Sequence, residues 1–334
     1  MIGIRTDANS TIATGHMMRC LSIAKGLVES GQDVLFICAD ENSLSFIDGR
    51  GFECEVLDTP WEKMESEVPK LLSVIERHGI TQLIVDSYLV TGNYLHTLSF
   101  AVQTIYIDDL NAFDYPVDIL LNYNIYAMDL AYKLEVAGKK VEYILGPKYA
   151  PLRQEFCGVW KEIKSSVTDV LITTGGADLI GMAQLLVDKI PIIEPLSGIH
   201  FHVISGKFGH VRNNPDSHNI TIHCDVQNVA ELMMKCDIAI TAAGFTMYEL
   251  CACGVPAVSF IFADNQILGA EKFDKMGLIT YAGDARKDIN ACADRILSIL
   301  QTHITNFRYR EKCSDRMQRI IDGHGIQRIV DSLV

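Results

Sequence analysis

The chain has 334 residues, 49% of them hydrophobic and 21% charged, enough for two domains with buried cores. A formal net charge of −13 excludes nucleic acid and anionic membrane as partners held by a whole surface. An anionic ligand would have to be held locally, by backbone N–H groups and one or two cations. The ten cysteines show no C-x-x-C pair and no Cys/His quartet. Cys251 and Cys253 sit in an apolar helical run, and Cys20, Cys38, Cys54 and Cys236 read as small buried hydrophobes. Neither a disulfide framework nor a metal site is expected, and a reducing, cytoplasmic setting fits. The N-terminal residues lack a signal-peptide pattern, and no apolar run reaches the ~20 residues of a membrane span.

Strands and helices alternate through the first half. Residues 2–5 predict a strand, 16–30 a helix stopped by Gly31, and 34–38 a short buried strand. A short helix follows over 43–51, a strand over 53–57 and a longer helix over 62–78. Strands at 82–86, 104–108, 117–122 and 141–145, with a helix at 94–102, complete the half. Residues 146–153, with two prolines, read as a linker. The alternation restarts with strands at 169–173, 199–205, 220–223, 238–241 and 257–261. Helices are expected after 178, over 226–235, 245–253 and 267–276, and in three terminal segments near 287–300, 306–321 and 327–333. The expected fold is therefore α/β, two Rossmann-like doubly wound domains divided at residues 1–148 and 149–334.

Asp7-Ala-Asn-Ser-Thr-Ile-Ala-Thr-Gly-His-Met-Met-Arg-Cys20 links the first strand to the first helix. Gly15 permits a tight turn or close ligand approach. His16 enters the helix where free N–H groups favour an anion, and Arg19 shares its face. Taken alone this stretch suggests chemistry on a phosphorylated substrate. The alternative is a histidine satisfied by Asp7 or a backbone carbonyl. Several strands end in polar residues, Asp86 with Tyr88, Asp108 with Asp109, and Asn122 with Asn124. Ligands of open parallel sheets bind at that carboxyl edge.

The second half carries two further strand–turn–helix junctions. Gly175 and Gly176 can turn N–H groups toward a phosphate, or can form a plain turn with Asp178 as helix cap. Gly244, Phe245 and Thr246 form the other, where Thr246 either bonds a phosphate oxygen or caps the helix. Glu249, in apolar surroundings, needs a partner: a sugar hydroxyl pair, or a Lys or Arg. Asn265 and Gln266 follow the strand at 257–261 and either contact ligand or cap a helix. Two such turns in the second half favour an anion there, and His16 is the main candidate for acid/base work. The remaining histidines lack metal spacing and read as structural.

These pieces occur in an order that resembles a known family. Asp7-Ala-Asn-Ser, Gly15-His-Met-Met-Arg-Cys20, Val85-Asp-Ser-Tyr88, Ile107-Asp-Asp109, Tyr149-Ala-Pro-Leu-Arg-Gln-Glu-Phe156, Gly175-Gly-Ala-Asp178, Ala242-Ala-Gly-Phe-Thr-Met-Tyr-Glu249 and Asp264-Asn-Gln266 are similar to the UDP-sugar hydrolases of pseudaminic acid biosynthesis. Spore-coat polysaccharide proteins and the lipid-II-forming N-acetylglucosaminyl transferase are more distant members of the group. The resemblance implies a glycosyltransferase-B architecture with an interdomain cleft. It implies hydrolysis of the anomeric C–O bond of a UDP-linked 2,4-diacetamido-2,4,6-trideoxy-altrose sugar, with inversion and without metal or cofactor. It assigns Gly175, Gly176 and Gly244 to Thr246 to the pyrophosphate, Glu249 to the ribose, and the region around Val229 to the uracil. His16 becomes the base or water orienter, helped by Asp7 or Tyr88, with Asn265, Gln266 and Arg153 as further substrate contacts. A cytoplasmic monomer in the route to flagellin glycosylation is implied. Ala13 departs from the family's usual Gly, and Thr173-Thr174 is more polar than expected. The competing readings are a glycosyltransferase that passes a UDP-N-acetyl amino sugar to an acceptor and a UDP-sugar-binding scaffold.

Overall fold

A computed structural model of the chain describes residues 1–9, 15–175, 178–206, 211–212 and 218–334. The chain forms two compact units, Met1–Pro151 with His324–Val334, and Leu152–Gly323.

Unit 1 is built on a parallel sheet of β1 (Ile2–Thr6), β2 (Val34–Cys38), β3 (Glu53–Val56), β4 (Gln82–Asp86), β5 (Gln103–Ile107), β6 (Ile119–Asn122) and, after the small antiparallel pair β7 (Glu135–Val136) and β8 (Lys139–Lys140), β9 (Glu142–Leu145). The order is β3-β2-β1-β4-β5-β6-β9. Helices α1 (Gly15–Glu29), α2 (Leu44–Ile47), α3 (Val68–His78) and α4 (Gly92–Ser99) provide the crossovers. All five residues of β1 are buried, as expected of a strand covered on both faces. The helix expected from residue 62 begins at Val68. A 3₁₀ turn, Met64–Glu67, precedes it, and Pro69 falls in its first turn, where the missing N–H costs nothing. Gly79 closes it at φ 61°, the left-handed geometry glycine adopts freely.

Unit 2 repeats the plan. Its parallel sheet has the order β12-β11-β10-β13-β14-β15, from β10 (Asp169–Thr173), β11 (His200–Ser205), β12 (Ile220–Cys224), β13 (Ile238–Ala242), β14 (Ala257–Ile261) and β15 (Ile279–Asp284). Helices α5 (Met182–Lys189), α6 (Val229–Lys235), α7 (Thr246–Ala252), α8 (Ile267–Lys275), α9 (Ile289–Thr305) and α10 (Phe307–Ile320) pack around it. Val170, Ile172, Phe201, Val203, Ile240, Val258 and Phe260 form one buried face against α5 and α9. Among the described residues no helix is long and apolar enough to cross a membrane.

The last helix, α11 (Gly325–Leu333), differs from the expected division at 148/149. It packs on α1 of unit 1, because Ile329, Val330 and Leu333 need burial and α1 supplies a seat. Gly26 opens that seat: a Cβ there would lie 2.2 Å from Ile326 Cγ2. Gln82 Nε2 donates to the Leu333 carbonyl at 2.8 Å and ties the helix to β4. Gly325 lies so close to the Ala150 carbonyl that a Cβ would stand 2.0 Å from its oxygen. Backbone cannot give way as a side-chain tip can. Gly325→Ala is expected to cost about 2 kcal/mol by overpacking and to lower the melting temperature by roughly 4–8 °C. An unchanged thermal denaturation midpoint would show that the contact carries no weight.

Candidate active site

In unit 1, β1 lies between β2 and β4, so the chain reverses direction across the sheet at the β1/β4 boundary. Thr6 pairs with Asp86 in register, which sets the exit of β1 beside the end of β4. Such a switch point leaves a crevice at the strand ends. α1 starts over it with Gly15, His16 and Arg19 in its first turns. Residues 10–14, including Ala13, lie outside the described residues.

His16 Nδ1 lies 2.6 Å from Asp86 Oδ1. Asp86 comes from β4 and is fully buried at its side chain. Arg19 grips the same carboxylate, Nε to Oδ2 and one terminal nitrogen to Oδ1, both at 2.6 Å. Its other terminal nitrogen donates to Asp109 at 2.8 and 3.0 Å and to the Tyr123 hydroxyl at 2.9 Å. Asp109 Oδ2 accepts from the Tyr88 hydroxyl at 2.7 Å, and Oδ1 from Asn124 at 2.8 Å. The Tyr88 ring stands edge-on to His16, centroids 4.4 Å apart at 83°. Arg19 also comes within 3.1 Å of His16 Nδ1. Because a guanidinium only donates and the carboxylate is nearer, Nδ1–H points to Asp86. The other ring nitrogen, Nε2, is then the acceptor.

The charges follow from this geometry. Burial pushes the Asp86 carboxyl up, but the Arg19 charge and hydrogen bonds, then His16, outweigh it, and it falls well below the usual carboxylate range. Burial also acts against the Arg19 cation, yet Asp109 and Asp86 raise it above its ordinary value. The Tyr88 hydroxyl is raised by burial and then by Asp109, so it remains a donor. Two carboxylates against one guanidinium leave a net charge of −1 beside the imidazole. This arrangement suits a developing positive charge better than a phosphate, and Arg19 is spent on carboxylates.

Asp7 is engaged elsewhere. Its carboxylate accepts from Arg5 at 2.6 Å and from the Ala39 N–H at 2.8 Å. Arg5 is itself fully buried in β1 and forked by Glu67 at 2.6 and 2.7 Å. The partner of His16 is thus Asp86. From sequence, Asp86 and Asp109 stand out as polar strand ends and as members of the resembling motifs, with no role assigned to either; their place at the carboxyl edge was the usable signal.

In unit 2 the equivalent switch point lies between β10 and β13. Gly175 follows β10 at φ 89° and is exposed; Gly176 lies outside the described residues. The N-cap of α5 is Gly181, not Asp178 as expected, although Asp178 Oδ2 accepts from the Ala183 N–H in the helix's first turn at 2.9 Å. Gly244 follows β13 and is exposed at the entrance to α7, with Phe245 and Thr246 partly exposed. Among the described residues, a Cβ at Gly15 or at Gly244 would meet nothing within 4 Å. The described fold leaves room for a side chain at both turns, and a close backbone approach by a ligand would account for glycine there.

Three candidates meet beside α7. Arg153 lies 3.2 Å from Glu155 and 3.4 Å from Glu249, with its guanidinium carbon 5.3 Å from the Phe156 ring centre. Glu155, which sequence reasoning did not single out, accepts from the Val229 N–H at 3.2 Å at the start of α6. Arg153, Val229 and Glu249 are thus assembled around Glu155. Burial raises the Glu249 carboxyl, and Arg153 offsets that only in part. The arginine partner that Glu249 required is present, at a long distance. Gln266 turns inward, its Oε1 accepting from Phe262 and Ala263 N–H at 2.8 and 3.2 Å. Its neighbour Asn265 is exposed.

No family model matches the chain. Among curated proteins it is similar to the UDP-2,4-diacetamido-2,4,6-trideoxy-beta-L-altropyranose hydrolase of Campylobacter jejuni, 27% identical over 281 residues, 82% of this chain and 96% of that protein. It is also similar to a Helicobacter pylori protein named pseudaminic acid cytidylyltransferase and UDP-2,4-diacetamido-2,4,6-trideoxy-beta-L-altropyranose hydrolase, 24% identical over 83% of this chain. The match spans about half of that longer protein, 47% of it, and 54% of an uncharacterized Methanocaldococcus jannaschii protein that is 26% identical over 77% of this chain. The resemblance read in the motifs is thus found independently. Among solved structures, Acinetobacter baumannii MurG superimposes with a TM-score of 0.70 at 14% identity, covering 99% of this chain and 98% of that one. The calicheamicin glycosyltransferase CalG4 superimposes at 0.68 with 11% identity, covering 99% and 97%. At such identities the likeness establishes the fold, glycosyltransferase-B with two α/β domains.

Proposed function

We propose that the protein is a UDP-sugar hydrolase that releases UDP from UDP-2,4-diacetamido-2,4,6-trideoxy-β-L-altropyranose or a close N-acylated relative, in pseudaminic acid biosynthesis. The observation that carries the reading is the Asp86–His16 pair at the unit 1 switch point, with Nε2 as its acceptor. Unit 1 supplies the sugar side and the base, and unit 2 holds UDP at Gly175, Gly176, Gly244, Phe245 and Thr246. Glu249 meets the ribose hydroxyls and the Val229 region the uracil, with Arg153, Asn265 and Gln266 as further contacts; Asp7, Gly15, Arg19 and Tyr88 shape the sugar side.

Water attacks the anomeric carbon from the face opposite UDP. The new C–O bond forms as the bond to the β-phosphate oxygen breaks, its electron pair leaves with UDP, and the centre inverts. His16 Nε2 takes the water's proton, and Asp86 stabilises the resulting imidazolium. The diphosphate is a good leaving group without prior protonation, and N–H groups at the glycine turns would hold its charge. The net negative Asp86–Arg19–Asp109 group favours positive charge developing on the sugar ring.

A transferase reading has one observation in its favour: the named structural neighbours are glycosyltransferases. Incubation with the UDP-sugar alone separates the readings. Free UDP and free sugar in equal amounts support the hydrolase. Turnover only after an acceptor is added supports the transferase, and tight binding without turnover supports a scaffold.

Glu249 gives a second test. A carboxyl whose folded pKa is raised opposes folding when ionised at neutral pH. Glu249→Gln is therefore expected to keep or raise the melting temperature while weakening UDP binding about 10- to 100-fold, the loss of one or two charge-assisted hydrogen bonds. Calorimetric titration with UDP reads the affinity directly, and unchanged affinity would remove Glu249 from the site.

A further inference from the structure

Asp109 stands just past the end of β5 and reaches His16 through two neighbours. One oxygen accepts from Arg19 at 3.0 Å and Asn124 at 2.8 Å, the other from Arg19 at 2.8 Å and Tyr88 at 2.7 Å. Arg19 in turn holds the carboxylate of Asp86 that orients the imidazole, and Tyr88 presents its edge to the ring. Tyr88 is 46% exposed, so packing alone would leave its ring several rotamers; the hydroxyl anchor on Asp109 selects one. Among the described residues, the groups shown against the imidazole are Asp86 from β4, Arg19 from α1 and Tyr88 after β4, with Cys20, Asp109 and Tyr123 one contact further. Cys20 donates to Asp86 at 3.4 Å, and both Cys20 and Tyr123 are raised by burial and remain neutral. Of the ionised groups, Asp86 is balanced by Arg19, so Asp109 carries the surplus negative charge.

We infer that Asp109 is a positioning residue for His16: it fixes the Tyr88 ring perpendicular to the imidazole and supplies the charge that the imidazolium neutralises when His16 accepts a proton. This rests on His16 being the base. Asp109 touches neither water nor sugar in this scheme; it acts through Tyr88 and Arg19. The surplus charge has one use in the cycle. It opposes nothing while the imidazole is neutral, and it is cancelled at the step in which the proton arrives.

The distinguishing readout is the split between kcat and KM, with the nitrogen chemical shifts of His16 as a spectroscopic check. Asp109→Asn keeps the volume and removes the charge. It is expected to lower kcat roughly 10- to 100-fold, to leave KM within about threefold, and to reduce the population of the Nδ1–H tautomer. Tyr88→Phe alters a half-exposed side chain that folding does not depend on, and removes only the anchor. It is expected to lower kcat on the order of threefold to tenfold, with KM raised by less than kcat falls. A wild-type kcat and an unaltered His16 tautomer in Asp109→Asn overturn the inference, as does Tyr88→Phe that raises KM while sparing kcat. His16→Ala keeps the two ideas apart. If it is inactive while Asp109→Asn is fully active, only the inference falls; if it retains activity, the base assignment falls first.

Discussion

His16→Ala is expected to lower kcat by roughly 10²- to 10⁴-fold, the usual contribution of a positioned base, while UDP binds with unchanged affinity. The barrier rises by about 3 to 5 kcal/mol, and none of it reflects weaker nucleotide binding. The proposed UDP contacts, Gly244 to Thr246 and Glu249, belong to unit 2, whereas His16 belongs to α1 of unit 1. His16→Phe should behave alike, because it fills the space and restores no acceptor. Release of UDP from the UDP-sugar gives kcat, and calorimetric titration gives the affinity. More than a tenth of wild-type kcat in either variant would mean that another group deprotonates the water.

Asp86→Asn is expected to be as damaging for catalysis and more so for folding. The wild-type carboxylate accepts from His16 Nδ1–H and twice from Arg19. An amide has one oxygen, and both carboxylate oxygens accept from Arg19, so its NH₂ opposes that donor in either orientation; in the Oδ1 position it also faces His16. Facing His16, it makes Nδ1 the acceptor, moves the ring proton to Nε2 and removes the base. A kcat loss of about 10²- to 10⁴-fold follows. Arg19 keeps Asp109, but the amide removes one of the two negative charges facing it, at a cost of roughly 3 kcal/mol. The pH dependence has a definite sign. Because the folded carboxyl lies below its unfolded value, its contribution is fully present above about pH 4 and is lost as the pH falls through the folded pKa. Acid titration of folding stability should therefore be shallower in Asp86→Asn than in the wild type. Parallel acid curves would show that the pair adds nothing.

Much of this was legible from one dimension. The buried run of β2 and the alternation of apolar strands with amphipathic helices carry two doubly wound sheets, because parallel strands covered on both faces are continuously apolar and crossovers need helical length. Strand ends and helix starts then mark the carboxyl edges, which is why His16, Gly175 and Gly244 could be named as candidates. Errors of one to several residues occurred where a local device intervened, such as the 3₁₀ turn and Pro69 ahead of α3.

The partnerships were not legible. Asp7, in the same loop stretch, was the nearer choice for His16, yet the fold spends it on Arg5 and Ala39. The partner came from 70 residues away in Asp86, and Asp109 reached Arg19 across 90. Gln266, read as a ligand contact or a helix cap, has its Oε1 on the turn's own N–H groups. The final segment read correctly as helical, but its destination on α1 depended on the room left by Gly26 and by Gly325 against Ala150. Periodicity and capping are local properties, written in residues a few positions apart. Which carboxylate an arginine or imidazole finds is set by strand register and burial, where an unpaired charge costs several kcal/mol and the nearest acceptor in space, whatever its place in the chain, must meet it.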